Sequence, residues 1–80
     1  FIDREMALIK MNAEPSNREE ILRIAEIFRA KIVDVSPSTY TIEITGDEGK
    51  LKGIFDLLRP LGIKEIVRSG RIAMARGAKE

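Results

Sequence analysis

The spacing of apolar residues predicts an α+β domain in which two helices cover one face of a four-stranded antiparallel sheet. Three observations carry this. Along the chain the apolar residues switch between the alternation of strands and the three-to-four spacing of helices, in the order strand, helix, strand, strand, helix, strand. Each helical segment has a single apolar stripe, so each has one face to bury. The chain of 80 residues holds one such unit, residues 1–80, and has no room for a second domain.

Glu5 to Met11 is a short apolar run closed by Asn12-Ala13-Glu14-Pro15, which predicts a strand buried on both faces. Ser16 followed by Glu19 has the spacing of a capping box, so a helix is expected to start at Ser16. Its stripe is Ile21, Ile24, Ala25 and Phe28, with Arg18, Glu19, Arg23 and Glu26 around it. Ile32-Val33-Asp34-Val35 then reads as a strand, Ser36-Pro37-Ser38 as a turn, and Thr39 to Thr45 as a second strand with Tyr40, Ile42 and Ile44 on one side. The two form a hairpin. Asp47 caps a second helix with the stripe Leu51, Ile54, Phe55 and Leu58, stopped by Pro60 and Gly62. A last apolar segment, Ile63 to Met74, is interrupted at Ser69-Gly70, where a bulge or tight turn re-aims the chain. The order βαββαβ is the split arrangement of the ferredoxin-like fold.

Composition narrows the chemistry. There is no cysteine and no histidine, which removes disulfides, thiol nucleophiles, imidazole bases and soft metal ligands. Fourteen basic residues against thirteen acidic ones leave a net charge of +1, too little to recruit nucleic acid or an anionic membrane by field alone. No apolar run approaches the roughly 20 residues of a membrane span. The opening Phe1-Ile2-Asp3-Arg4-Glu5 has neither an initiator methionine nor the regions of a signal peptide, so the chain is read as a piece of a longer, cytoplasmic protein.

A family resemblance spans nearly the whole chain. Arg4 to Lys10, Ile27 to Val35 and Tyr40 to Gly46 resemble the second half of acetolactate synthase small subunits, and the likeness continues through Lys50-Leu51, Leu57 to Glu65 and Arg68 to Gly77. No piece is a strong motif alone; their order and spacing carry the resemblance. Departures are small: Gly53 stands where the family usually has alanine, Ile54-Phe55 reverses the usual order, and Ser69 replaces a common threonine. Gly53 is expected to weaken its helix by roughly 0.5–1 kcal/mol if exposed.

The resemblance implies a C-terminal, ferredoxin-like domain of a regulatory subunit, without the N-terminal ACT domain that in this family binds the feedback amino acid, typically valine. It implies no enzyme activity in this chain. Catalysis would reside on a large-subunit partner using thiamine diphosphate, Mg and FAD for branched-chain amino-acid biosynthesis, and this domain is expected to bind no cofactor and no metal. The alternative is a free-standing ACT-like amino-acid-binding module; against it, Asn12 to Ser16 contains no glycine to let a ligand approach the backbone.

Arg68, Arg71, Arg76 and Lys79 form a basic run near the end of the chain, read either as solvated charge or as a landing patch for a partner. An RNA-binding sheet needs stacking aromatics on its central strands, and only Tyr40 is available. Glu5 beside Arg4, and Asp34 near several cations, read as surface or edge ion pairs rather than acid–base groups. The side of the sheet away from the helices is the candidate contact surface. Alternation puts Ala7, Ile9 and Met11 on one face and Met6 and Leu8 on the other. The first and last strands are neighbours in this fold, so Met6, Leu8, Ile66 or Val67, and Met74 are expected to merge beside Lys10 and the arginines. The candidate contact residues are therefore Met6, Leu8, Lys10, Ile66, Arg68, Arg71, Met74 and Arg76, facing either a second copy in a homodimer or the large subunit.

Overall fold

In the computed structural model of the chain, which describes the backbone of residues 2–69 and 72–74 and the side chains of residues 4–69, alternation along the first strand sets the whole architecture. The elements are β1 (Ile2–Asn12), α1 (Arg18–Ile27), β2 (Lys31–Val35), β3 (Thr39–Gly46), α2 (Glu48–Leu58), a 3-10 turn (Arg59–Leu61), β4 (Ile63–Arg68) and β5 (Ile72–Met74). The strands pair antiparallel in the order β2-β3-β1-β4, with β5 also on β1. This is the expected ferredoxin-like sheet. Among the described residues no helix is long and apolar enough to cross a membrane.

One face of the sheet carries the core. Ala7, Ile9 and Met11 of β1 and Tyr40, Ile42 and Ile44 of β3 are buried under Ile21, Ile24 and Ala25 of α1 and Leu51, Ile54, Phe55 and Leu58 of α2. Both helix stripes are thus as the spacing predicts, with Phe28 partly buried at the margin. The expectation that β1 is buried on both faces does not hold: Met6 keeps 39% of its surface exposed, and Leu8 and Lys10 are only half-buried. β4 pairs with β1 and lies at the edge of the sheet. A run of apolar residues cannot by itself tell a strand covered twice from one covered once.

The expected capping box is absent, for a physical reason visible in the turn. The N-cap of α1 is Asn17, one residue after Ser16, and it makes no side-chain cap. Its carboxamide instead accepts from the Glu14 N–H at 2.8 Å and donates to the carbonyls of Asn12 at 3.1 Å and Leu61 at 2.8 Å. One side chain with an acceptor and two donors therefore ties the β1–α1 turn to the turn before β4. Asn17→Ala is expected to lower the unfolding free energy by about 1–3 kcal/mol, measured by urea denaturation; a change within about 0.5 kcal/mol, the usual surface value, would show that water replaces these bonds without loss.

At the other end, α1 closes in a Schellman pattern, with Arg29 N–H bonded to the Glu26 carbonyl and Ala30 N–H to the Ala25 carbonyl. Arg29 takes the left-handed conformation at φ 57°, where glycine is the common occupant. Helix α2 starts as expected, the Asp47 carboxylate accepting from Lys50 N–H at 2.8 Å. It ends through the 3-10 turn at Gly62, whose φ of 102° needs a residue without a side chain. Gly53 is not a simple weak point: a Cβ there would sit 3.2 Å from the Phe28 ring, so glycine lets the two helices approach.

The last apolar segment is two strands rather than one. β4 pairs Ala7 to Met11, β5 pairs Ile2 to Arg4, and the register shifts by one residue between the two ladders, as Leu8↔Val67 and Arg4↔Ile72 show. At the interruption Ser69 holds Met6 twice, donating its N–H to the Met6 carbonyl at 2.9 Å and accepting the Met6 N–H on its hydroxyl at 3.0 Å.

Candidate functional site

The face of the sheet away from the helices is built from the even-numbered positions of β1 and their partners in register. Met6 lies opposite Thr45, Leu8 lies between Glu43 and Val67, and Lys10 lies between Thr41 and Glu65. Beyond β3, Lys31 of β2 stands opposite Glu43. The surface therefore has two halves. Met6, Leu8 and Val67 make an apolar cluster over β1 and β4, while Lys31, Glu43, Lys10 and Glu65 place opposite charges side by side across the strands. Leu8, Lys10, Thr41, Glu65 and Val67 line a shallow depression of about 200 Å³. Val67 is 52% exposed although it is β-branched and sits inside a strand.

The candidate contact residues do not all meet on this surface. Met6, Leu8 and Lys10 do, and of the pair Ile66 and Val67 it is Val67 that joins them. Ile66 lies opposite Ile9 and packs against the core, and Arg68 lies opposite Ala7, also on the helix side. The physical reason is the two-residue period: once Leu8 and Val67 share a face, their neighbours must turn to the other. Met74 pairs with Ile2 in β5, its side chain lying outside the described residues, as do Arg71, Arg76 and Lys79. Glu43, Thr41 and Glu65, which complete the polar half, are missing from the sequence-derived set. Alternation along β3, which puts Tyr40, Ile42 and Ile44 on the helix side, is the signal that would have found Thr41 and Glu43.

Arg68 is committed elsewhere. Its guanidinium lies 5.4 Å from the centre of the Phe55 ring. It also makes a bidentate pair with Glu5, Nε to Oε2 at 2.8 Å and Nη2 to Oε1 at 2.6 Å. The hydrogen bond to Glu5 holds the guanidinium above its ordinary value. Glu5 is thus an ion-pair partner, as its setting in the sequence implied.

Beside this pair, Glu48, Lys52, Phe55, Asp56, Arg59 and Arg68 line a groove of about 270 Å³ along α2. Asp56 accepts from Lys52 at 2.8 Å and Arg59 at 3.1 Å. Lys52 foremost, then Arg59, holds the Asp56 carboxyl below its ordinary value of 3.8. A depressed folded-state value means that the contribution is present above 3.8 and lost as pH falls through the folded-state value. All three side chains are exposed, so the contribution is small. Asp56→Asn is expected to make acid-range urea stability fall slightly less steeply with pH; an unchanged slope would mean the pair adds nothing.

No aromatic side chain lies among the described residues of the open face, and Tyr40, 7% exposed, belongs to the helix-covered side. That side of Tyr40 meets Arg18, 6.0 Å from the ring centre. The open face therefore offers shape, apolar contact and paired charge rather than stacking.

Comparison with known proteins fits this geometry. The family model for the small subunit of acetolactate synthase matches residues 4–77. The acetolactate synthase small subunit of Aquifex aeolicus is 58% identical over 76 residues, covering 94% of this chain and 40% of that protein. The crystal structure of the small subunit from Thermotoga maritima superposes with a TM-score of 0.85 at 42% identity, covering 98% of this chain and 48% of that one. The chain thus spans about half the length, or less, of these relatives. The solution structure of the ACT domain from a GTP pyrophosphokinase of Chlorobium tepidum shares the fold, with a TM-score of 0.55 at 16% identity.

Proposed function

We propose a regulatory, non-catalytic role that proceeds from one premise: this chain belongs to the acetolactate synthase small-subunit family. In this reading it is a C-terminal domain that docks on the separate large subunit in the cytoplasm and modulates it. The large subunit performs the condensation of pyruvate with thiamine diphosphate, Mg and FAD. The observation that carries the docking is the open face, where Met6 and Val67 are 39% and 52% exposed beside half-buried Leu8. A sheet face that need only meet water is polar. Here its apolar half faces outward beside a border of paired charges that can set orientation.

The direct test adds the purified chain to a large subunit and follows acetolactate formation from pyruvate with all cofactors supplied. The rate is expected to rise with added chain and to saturate, while the chain alone gives no turnover. A large-subunit rate indifferent to the chain, or turnover by the chain alone, contradicts the proposal.

The likeness to an ACT domain favours a second reading, a free-standing amino-acid-binding module. The turn after β1 weighs against it, because Asn17 fills that turn with three hydrogen bonds of its own. Saturable heat on titration with valine, leucine or isoleucine would decide for the sensor.

A further inference from the structure

The depression on the open face is lined by Leu8, Lys10, Thr41, Glu65 and Val67, and its chemistry is mixed. Leu8 and Val67 lie opposite each other and give it an apolar wall. Lys10 lies between Thr41 and Glu65, so an ammonium, a hydroxyl and a carboxylate meet beside that wall. Although neighbours in register, these three side chains make no hydrogen bond or ion pair with one another or with any other of the described residues. An apolar hollow with a few converging polar groups is the usual make-up of a site that receives another molecule. We propose that this depression receives a tyrosine or tryptophan side chain from the large subunit. The inference rests on the regulatory reading above and names the contact by which the chain docks.

Elimination selects the ring. A carboxylate entering the hollow meets Glu65 and a basic side chain meets Lys10, so neither sign of charge gains. An aliphatic side chain fills the apolar part but strips water from Lys10, Thr41 and Glu65 without giving them a partner, which is unfavourable. A ring with one N–H or O–H answers each part of the hollow. Its body lies against Leu8 and Val67, its face meets the Lys10 ammonium, and its tip donates to Thr41 or Glu65. The volume is about 200 Å³, below the roughly 300–1,000 Å³ of a pocket for a free ligand, so it holds one side chain. A second copy of this chain cannot supply the ring: the sequence has one tyrosine and no tryptophan, and Tyr40 is buried on the helix-covered side. Tyrosine and tryptophan are enriched among the side chains that anchor interfaces, where they fill pockets near the centre.

The test reads the site and the docking separately. p-Cresol and 3-methylindole, the two side chains as free molecules, are titrated into the methyl-labelled chain while the resonances of Leu8 and Val67 are followed. Both are expected to shift these methyls saturably in the millimolar range, and toluene, the ring without a donor, to bind more weakly. Lys10→Met is expected to weaken p-cresol binding by roughly two- to fivefold, the worth of an exposed cation over a ring. Val67→Trp fills the hollow from its own wall without adding charge. With unchanged circular dichroism, it is expected to abolish the p-cresol shift at Leu8. It should also raise the amount of chain needed for half-maximal stimulation of a large subunit by roughly 30-fold, the scale of losing an anchor. No saturable shift, toluene binding as tightly as p-cresol, Lys10→Met binding p-cresol as the native chain does, or Val67→Trp stimulating like the native chain would each overturn the proposal. Ring binding by a native chain that leaves the large subunit unaffected overturns instead the regulatory reading, and with it the large subunit as the source of the ring.

Discussion

Ile9→Ala is expected to cost about 2–5 kcal/mol of unfolding free energy, while Leu8→Ala, one residue earlier in the same strand, costs less than about 1 kcal/mol. Ile9 is fully buried, and its register partners are Ile42 on β3 and Ile66 on β4. Removing three carbons there leaves a space walled by two ordered strands and the helix layer, and strands held on both sides collapse poorly into it. A domain of this length has in total only about 4–12 kcal/mol, so the substitution removes a large share and brings the chain close to unfolding at physiological temperature. Leu8 faces the open side, where truncation lets water in rather than making a void. Urea denaturation of both variants at equal slope is the measurement. Equal losses would mean that the open face is covered in the isolated chain, and that the division of β1 into a structural and a contact face is wrong.

Most of the fold is legible in the sequence because it follows from period and punctuation. Ile21, Ile24 and Ala25, then Leu51, Ile54, Phe55 and Leu58, are one-sided stripes, and every one of them is buried. Asp47 marks the start of α2, and Gly62 the end of the 3-10 turn that follows it, by chemistry that few other residues supply. What local pattern does not show are the features decided by tertiary contact. Asn17 looks like a lesser neighbour of Ser16 until Leu61, far along the chain, brings it a carbonyl. Arg29 ends α1 in a conformation for which the sequence carries no glycine signal. The candidate surface was half legible for the same reason. Alternation assigns Met6, Leu8 and Lys10 to one face, but which of Ile66 and Val67 joins them depends on the pairing of β4 with β1, which neither segment contains by itself. The same register sends Arg68 to the helix side, where it meets Glu5 and Phe55, two residues from distant parts of the chain.

Leu8→Glu and Leu8→Lys are both expected to abolish the effect of this chain on a large subunit, and their comparison separates docking from folding. In the isolated domain position 8 lies directly opposite Glu43. Glutamate there sets two carboxylates across from each other and costs roughly 0.2–1 kcal/mol, whereas lysine gains a favourable cross-strand pair of similar size. Stability therefore moves in opposite directions for the two variants. Docking does not, because either charge must be buried without a partner where the large subunit covers Leu8. An uncompensated buried charge costs about 3–5 kcal/mol, which at about 1.4 kcal/mol per tenfold is a loss of roughly two to four powers of ten in affinity. At concentrations where the native chain saturates the large subunit, neither variant should change the rate of acetolactate formation. If only Leu8→Glu fails while Leu8→Lys stimulates normally, the native effect depends on the stability of the domain and not on this face. If both stimulate normally, the large subunit meets a surface other than the apolar cluster of Met6, Leu8 and Val67.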